Sequence, residues 1–425
     1  RGGALVDSAA VLRPLRHRDF ALLFTGTAVS MFGDGLFLVA IAWQAYDLKN
    51  SPSTLALVGV AWSLPLEVFL LAGGVIADAY ERRRILIVSD VMRGAASLSI
   101  GVLSVTGALT LGLLLPLVAL YGVGEALYRP AFTAIMPMLV PAPSLVEANA
   151  LKEFAEPAAM QIAGPAVGGV IIAAAGGAGW AFIADAATFL VSIAAVLFIR
   201  RLPAAGAPPT VRAALNDLRE GLRYVRARSW LWGTLLGASL AVFSFDGPLE
   251  VLLPYIVRNE FAGGGALLGA IFAAGGAGAL AAAIVIGTRG MPRRPITFML
   301  GSWAVATAAL AGIALATAAW QLFVVTAIVF GGLTSGVIVW NTLIQTRVPG
   351  EMLGRVSSLD WMISVGLVPI SYAITGPLAE LAGIDSTLIG AAVLAPLAIV
   401  GVLVLVPGIR EPDRAPAPAV DSPSA

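Results

Sequence analysis

Runs of about twenty apolar residues follow one another along nearly the whole chain, separated by short knots of charge and by Gly/Pro breaks. A helix needs about 20 such residues to cross the hydrocarbon core of a bilayer. Inside that core only helices and closed barrels satisfy every backbone hydrogen bond. The runs predict spans at 20–46, 54–77, 85–106, 111–139, 150–176 and 179–199, then at 230–257, 264–287, 295–315, 319–343, 354–380 and 383–407. Only 12% of the 425 residues are charged and 59% are hydrophobic, against roughly 25% charged in soluble domains. Such a chain cannot cover its surface with polar groups, so its solvent is lipid. The first run is long enough to span and lacks a small-residue cleavage site, so it reads as a span and not as a signal peptide.

The 26 Lys and Arg residues orient these spans, since basic residues collect in cytoplasmic loops. With the N-terminus inside, all but Lys49, Arg258 and the intraspan Arg129 fall on the cytoplasmic side, Arg93 being counted with Arg82, Arg83 and Arg84 although it lies a little way into the third span. Both termini are therefore expected in the cytoplasm, with the protein in the cell (inner) membrane. The division expected is a six-helix half at 1–199, a cytoplasmic linker at 200–229, a second six-helix half at 230–409 and a disordered tail at 410–425. From Val211 onward Leu215, Leu218, Leu222 and Val225 recur at helical spacing among arginines, which predicts an amphipathic helix on the membrane surface.

Several chemistries are excluded. Cysteine is absent and His17 is the one histidine, which removes thiolate metal sites, a cysteine nucleophile and a Ser-His-Asp relay. No Gly-x-x-x-x-Gly-Lys-Ser/Thr loop is present, so no ATPase is expected. The basic residues follow topology and do not form a nucleic-acid surface. Neither an enzyme nor a cofactor is expected.

The two halves repeat one another. "FGDGLFLVAI" resembles "SFDGPLEVLL", and "AGPAVGG" resembles "TGPLAE"; Asp34-Gly35 and Asp246-Gly247 lie 212 residues apart, as do Gly164-Pro165 and Gly376-Pro377. Parallel six-helix repeats with a substrate site between them describe one major transporter architecture.

The loop "GGVIADAYERRR" resembles the signature loop of the major facilitator superfamily. Gly74, Asp78, Arg82 and Arg83 match its pattern, while Ala79 and Glu81 depart from it. The resemblance implies the all-α major facilitator fold, twelve transmembrane helices in two six-helix repeats. It also implies a gating role for the loop, in which Asp78 meets a helix N-terminus and arginines, with Asp90 as a further partner. "AGPAVGG", with Gly164, Pro165, Gly168 and Gly169, is similar to a stretch associated with antiporters of this superfamily, which favours export over uptake; generic small-residue packing is the alternative. "IADAATFL" (Asp185) and "LVEANAL" (Glu147, Asn149) resemble the macrolide-efflux and enterobactin-exporter-like branch.

A charge at the bilayer centre costs roughly 2.5–3.5 kcal/mol even on insertion scales, so intramembrane charges are functional candidates. Asp34, Glu67, Glu125, Arg129, Asp246 and Glu250 are placed near midplane; Asp185, Glu153, Glu156 and Asp360 are placed nearer the span ends. Low dielectric favours the protonated form of a carboxylate, which is the property a proton-coupled exchanger needs. Glu125 and Arg129 share one helical face and read either as a local ion pair or as a pair that parts on proton binding. Asp34 and Asp246 are repeat equivalents beside glycines, and each reads as a helix cap or as a coupling acid. Glu67, beside Pro65, reads as a coupling acid or as a partner for a freed backbone N–H. Glu250 has no repeat twin and no such structural role. Trp43, Gln44, Trp62, Tyr121, Tyr128, Gln161, Phe243, Phe245, Trp340, Asn341 and Trp361 are candidates for lining a cavity.

These features lead to an expected proton-coupled antiporter exporting amphipathic small molecules, such as drugs or siderophore-like metabolites, by alternating access. Its energy source would be the proton gradient, and its partners substrate, protons and membrane lipids, the protein acting as a monomer. A lipid or lysolipid flippase, a symporter, and a non-transporting membrane sensor are the alternatives.

Overall fold

The computed structural model of the chain describes residues 12–141, 144–200 and 211–414; within these, the side chains of residues 71–79, 146, 150, 211–218 and 365 lie outside the description. Among the described residues, twelve helical spans are long and apolar enough to cross a membrane. Spans 1 to 6 are Arg18–Leu48, Pro52–Leu70, Arg82–Val105, Leu111–Met138, Glu147–Ala175 and Gly179–Leu197. Spans 7 to 12 are Ser229–Asn259, Gly265–Arg289, Pro295–Ala314, Ala319–Arg347, Gly350–Ala382 and Ile384–Leu405. Each coincides with an apolar run to within a few residues; the helix of span 2 itself runs on to Ala79. The protein is a multi-pass, all-helical membrane protein.

Contacts group the chain into two compact units. One holds the described residues before Pro209 together with Glu250–Gly276; the other holds those from Val211 to Leu249 and from Ala277 onward.

In the first unit, span 1 packs face to face with span 5 where two glycines meet. A Cβ on Gly35 would lie 2.8 Å from the Cα of Gly164, and one on Gly164 would lie 2.6 Å from the Cα of Gly35. Small residues bring helix backbones together in this way where no hydrophobic driving force separates lipid from protein. Span 5 widens into a π-helical turn over Pro157–Ala163 just before this crossing.

The second unit carries the repeat equivalent. A Cβ on Gly247 would meet the carbonyl oxygen of Ser371 at 2.6 Å and its Oγ at 2.7 Å, on span 11. The Ser371 hydroxyl enters the helical ladder of span 7: it accepts from the Gly247 N–H at 2.9 Å and donates to the Phe243 carbonyl at 2.6 Å. These two groups would otherwise pair i to i−4, and insertion of a side chain into that ladder is a recognised cause of helix distortion. Pro248 follows, has no N–H to offer, and a π-helical turn runs over Pro248–Leu252.

The second half of span 7 belongs to the first unit and is held there by contacts with the end of span 1 and the residues just after it. Tyr46 Oη donates to the Val251 carbonyl at 2.5 Å. Arg258 pairs with Asp47 at 2.7 Å and lies 4.8 Å above the Trp43 ring. Asn50 and Asn259 exchange amide hydrogen bonds at 2.6 and 3.2 Å. The Arg258 and Asp47 side chains are 25% and 35% exposed, so solvent screens this ion pair in part. Arg258→Ala is expected to lower stability by less than about 1 kcal/mol, read as a small shift in thermal unfolding of the purified protein.

The linker helix, Val211–Arg226, forms as the spacing predicts, with Val225 buried and Glu220 paired to Arg355 at 2.8 Å. The tail departs from expectation. Residues Glu411–Arg414 form a helical turn, because Asp413 accepts from the Ile296 and Thr297 N–H groups at 2.7 and 3.2 Å and caps the start of span 9. Arg347 adds a bond to the Pro412 carbonyl at 3.1 Å. Residues 415–425 lie outside the described residues.

Candidate functional site

Polar residues on three spans fall at helical spacing and face one another inside the first unit. Span 3 presents Asp90, Arg93 and Ser97; span 4 presents Tyr121, Glu125 and Tyr128; span 6 presents Asp185, Thr188 and Ser192. Separations of three, four and seven residues put each trio on one helix face. Span 1 adds Asp34, and Gly124 leaves the room that the aliphatic stem of Arg93 occupies, since a Cβ there would sit 2.8 Å from its Cγ.

Arg93 is the centre of this cluster. Its side chain is 2% exposed. Its Nη2 donates to Asp90 at 2.7 Å, its Nη1 to Asp34 at 3.4 Å. The guanidinium lies between two rings, 4.4 Å from the centroid of Tyr128 and 4.6 Å from that of Phe189, positions in which the ring quadrupoles attract a cation. Tyr128 is held in turn by Thr27 at 3.0 Å.

The three carboxylates around Arg93 differ in what holds them. Asp90 is fully buried, and its second oxygen accepts from Ser192 at 2.7 Å. Asp34 accepts from the Tyr121 hydroxyl, whose ring stacks on Phe37 at 4.2 Å. It is 17% exposed and more loosely held by Arg93, which makes it the accessible acid of the three. Asp185 is fully buried and touches Ser97 at 2.6 Å, while its Oδ1 has no hydrogen-bond partner among the described residues.

Beside the cluster, Glu125 accepts from Arg129 through Nε at 3.1 Å and Nη2 at 2.5 Å, and from the Trp62 indole at 3.0 Å. Its geometry is that of a local ion pair with an added indole donor. Glu67 on span 2 is half-buried, with Oε1 lacking a hydrogen-bond partner among the described residues. Asp246 and Glu250 are half-buried; Asp246 precedes the π-turn of span 7 and Glu250 lies within it. Among the described residues no three His, Cys, Asp or Glu side chains converge as a metal site would require.

Sequence reasoning placed Arg93 with the loop arginines and Asp185 toward a span end. The structure puts both in the buried centre of the first unit. Charge counting could not separate Arg93 from its neighbours, because the positive-inside rule uses every Arg near a span end alike. The signal that was available is the shared register of 90/93/97 and 185/188/192.

The sequence of the chain matches, over residues 9–424, the family described as transmembrane secretion effector. The chain belongs to this family of the major facilitator superfamily. The multidrug efflux pump Tap of Mycolicibacterium fortuitum is 31% identical over 425 residues, which are 95% of this chain and 98% of the relative. The enterobactin exporter EntS of Escherichia coli O1:K1 / APEC is 31% identical over 356 residues, 81% of each chain. Among solved structures, a POT family transporter in complex with a thioalcohol-conjugated peptide superposes with a TM-score of 0.73 at 12% identity, covering 92% of this chain and 96% of that one. A bacterial homologue of the iron transporter ferroportin gives 0.67 at 15% identity, covering 91% and 98%. At such identities the likeness concerns the fold alone, and the fold is that of the major facilitator superfamily.

The superfamily's signature loop is described in part. Gly74 and Asp78 fall in the helix of span 2, and their side chains lie outside the described residues. Arg82 contacts the Met138 sulfur at 3.2 Å, and Arg83 donates to the Val196 and Leu197 carbonyls at 3.0 and 2.6 Å. A cation there satisfies the last carbonyls of span 6 and complements its dipole. Asp90 sits in the Arg93 cluster. In the antiporter-type stretch, Gly164 lies against Gly35, Gly168 against Leu36 and Gly169 against Gly265 and Ala266 at the start of span 8.

Of the cavity candidates, Gln44 is buried and accepts from Ser104 at 2.5 Å, Phe245 packs edge-on to Phe330, and Trp340 donates to Asp360 at 2.9 Å. These three are packed inside their units. Phe243 is half-buried. Gln161 lies on the π-turn of span 5 with a buried Oε1 that has no hydrogen-bond partner among the described residues, and Asn341 and Trp361 are exposed.

Proposed function

We propose that this transporter exports amphipathic small molecules, weakly basic and cationic ones foremost, in exchange for protons, and that Asp34 is the carboxylate on which the two compete. The observation carrying this reading is the asymmetry of the Arg93 cluster: one guanidinium donates to two carboxylates, and Asp34 is the accessible, loosely held one. The names of the relatives, an efflux pump and an exporter, support outward transport, and the excess of acids in the cluster supports a cationic cargo. Protonation of Asp34 from outside would discharge the cargo; loss of that proton to the cytoplasm would restore the site. Alternating access supplies the motion. The basic-residue pattern supports an orientation with both termini cytoplasmic.

The test uses proteoliposomes with an imposed pH gradient and ethidium as probe. The wild type is expected to move ethidium against its gradient toward the acidic side. Asp34→Asn is expected to fall to the rate of protein-free liposomes, while Arg258→Ala retains transport. Full gradient-driven transport by Asp34→Asn would overturn the assignment.

A further inference from the structure

Asp185 holds a proton count that the rest of the cluster fixes. Ser97 Oγ lies 3.0 Å from the Phe182 carbonyl oxygen and 2.6 Å from Asp185 Oδ2. A serine hydroxyl has one proton to donate, and a backbone carbonyl can only accept. If Asp185 were ionised, the serine would face two acceptors and leave one short contact without a hydrogen. Both contacts are satisfied when Asp185 Oδ2 carries the proton, donates it to Ser97 Oγ, and Ser97 donates onward to Phe182. A separation of 2.6 Å suits an O–H···O bond.

The surroundings agree. Span 1 presents Asp34 and the backbone of Gly33 to this carboxyl; span 3 presents Arg93 and Ser97, with Asp90 on the far side of Arg93; span 4 presents Tyr121. Its own span contributes Thr188 and Ser192, and Gly164–Ala175 of span 5 contains no titratable side chain. The one cation among them, Arg93, already donates to Asp34 and Asp90. The unpartnered Oδ1 of Asp185 is tolerable as the carbonyl oxygen of a neutral acid, whereas a buried carboxylate without a cation is strongly disfavoured.

We infer that Asp185 is a resident neutral carboxylic acid, a positioning residue that donates to Ser97 and leaves the charge of Arg93 wholly to Asp34 and Asp90. Its consequence for transport rests on the reading of Asp34 above: with Asp185 permanently protonated and both oxygens of the buried Asp90 held by Arg93 and Ser192, Asp34 is the one titrating member of the trio, and the trio exchanges a single proton per cycle.

Infrared difference spectroscopy of the purified transporter in lipid reads this without any transported substrate. The wild-type minus Asp185→Asn spectrum is expected to contain a carboxylic-acid carbonyl band. That band should persist across the pH range in which ethidium transport changes, and should shift upward in Ser97→Ala, where the acceptor is lost. Absence of the band, its titration within that range, or indifference to Ser97→Ala would each overturn the inference. If the band behaves as expected but ethidium moves without protons, the coupling reading fails and the neutral acid stands. If ethidium transport is proton-coupled and the band is absent, the reverse holds.

Discussion

Arg93→Ala is expected to be the most damaging single substitution in the first unit, lowering stability by about 3–5 kcal/mol, the range for removing one partner of a buried ion pair. The variant would strand Asp90, fully buried, and Asp34, 17% exposed, with no other cation on either carboxylate among the described contacts. It would also empty the space between Tyr128 and Phe189. Lysine is not expected to rescue, because one ammonium cannot reproduce the planar fork that reaches two carboxylates and stacks between two rings. Arg93→Met combined with Asp90→Asn, which removes the more deeply buried of the two stranded charges, should recover part of the loss in stability but not transport. Thermal unfolding of the detergent-purified variants checks this. A melting temperature for Arg93→Ala equal to the wild type would refute the central place given to this residue.

The second large effect is expected at Gly35. A Cβ there would meet the Met160 carbonyl oxygen at 2.6 Å, the Gly164 Cα at 2.8 Å and the Pro165 Cδ at 2.9 Å. Two of these are backbone atoms and the third is in a ring, so no rotamer change relieves the clash and the helices must part. Gly35→Ala is expected to cost about 1–3 kcal/mol and Gly35→Val more, as overpacking generally does. Gly301→Ala is the control: nothing lies within 4 Å of its added Cβ, and alanine is the better helix former by about 0.5–1 kcal/mol. It should therefore be neutral or slightly stabilising. Equal melting temperatures for Gly35→Val and Gly301→Ala would contradict the close crossing of spans 1 and 5.

The twelve spans were legible because bilayer thickness imposes a length that water-soluble helices need not obey, and apolar runs report it directly. The duplication was legible for a related reason. Asp34-Gly35 and Asp246-Gly247 mark two places where a span crosses its partner at contact distance, and such crossings tolerate little beyond glycine. What escaped was anything set by helix rotation. Arg93 and Asp185 are one-residue signals whose depth depends on which face of spans 3 and 6 turns inward. Hydropathy windows average that information away. The π-turns at Pro157–Ala163 and Pro248–Leu252 were hidden as well. Each proline announces a break, but the wider turn and the Ser371 hydroxyl inserted in span 7 depend on a neighbouring helix distant in sequence. The helical turn at Glu411–Arg414 was missed because a Pro-rich, charged tail carries no apolar face, and a capping carboxylate, Asp413, anchors it instead.

The central claim is that cargo and proton exchange at Asp34. Its most direct test runs the transporter backwards: proteoliposomes at zero membrane potential and equal pH are given an ethidium gradient, and a lumenal pH dye follows the protons. The wild type is expected to move protons opposite to ethidium, and Asp34→Asn to move none. Ethidium flux through the wild type with no accompanying proton movement would contradict the account.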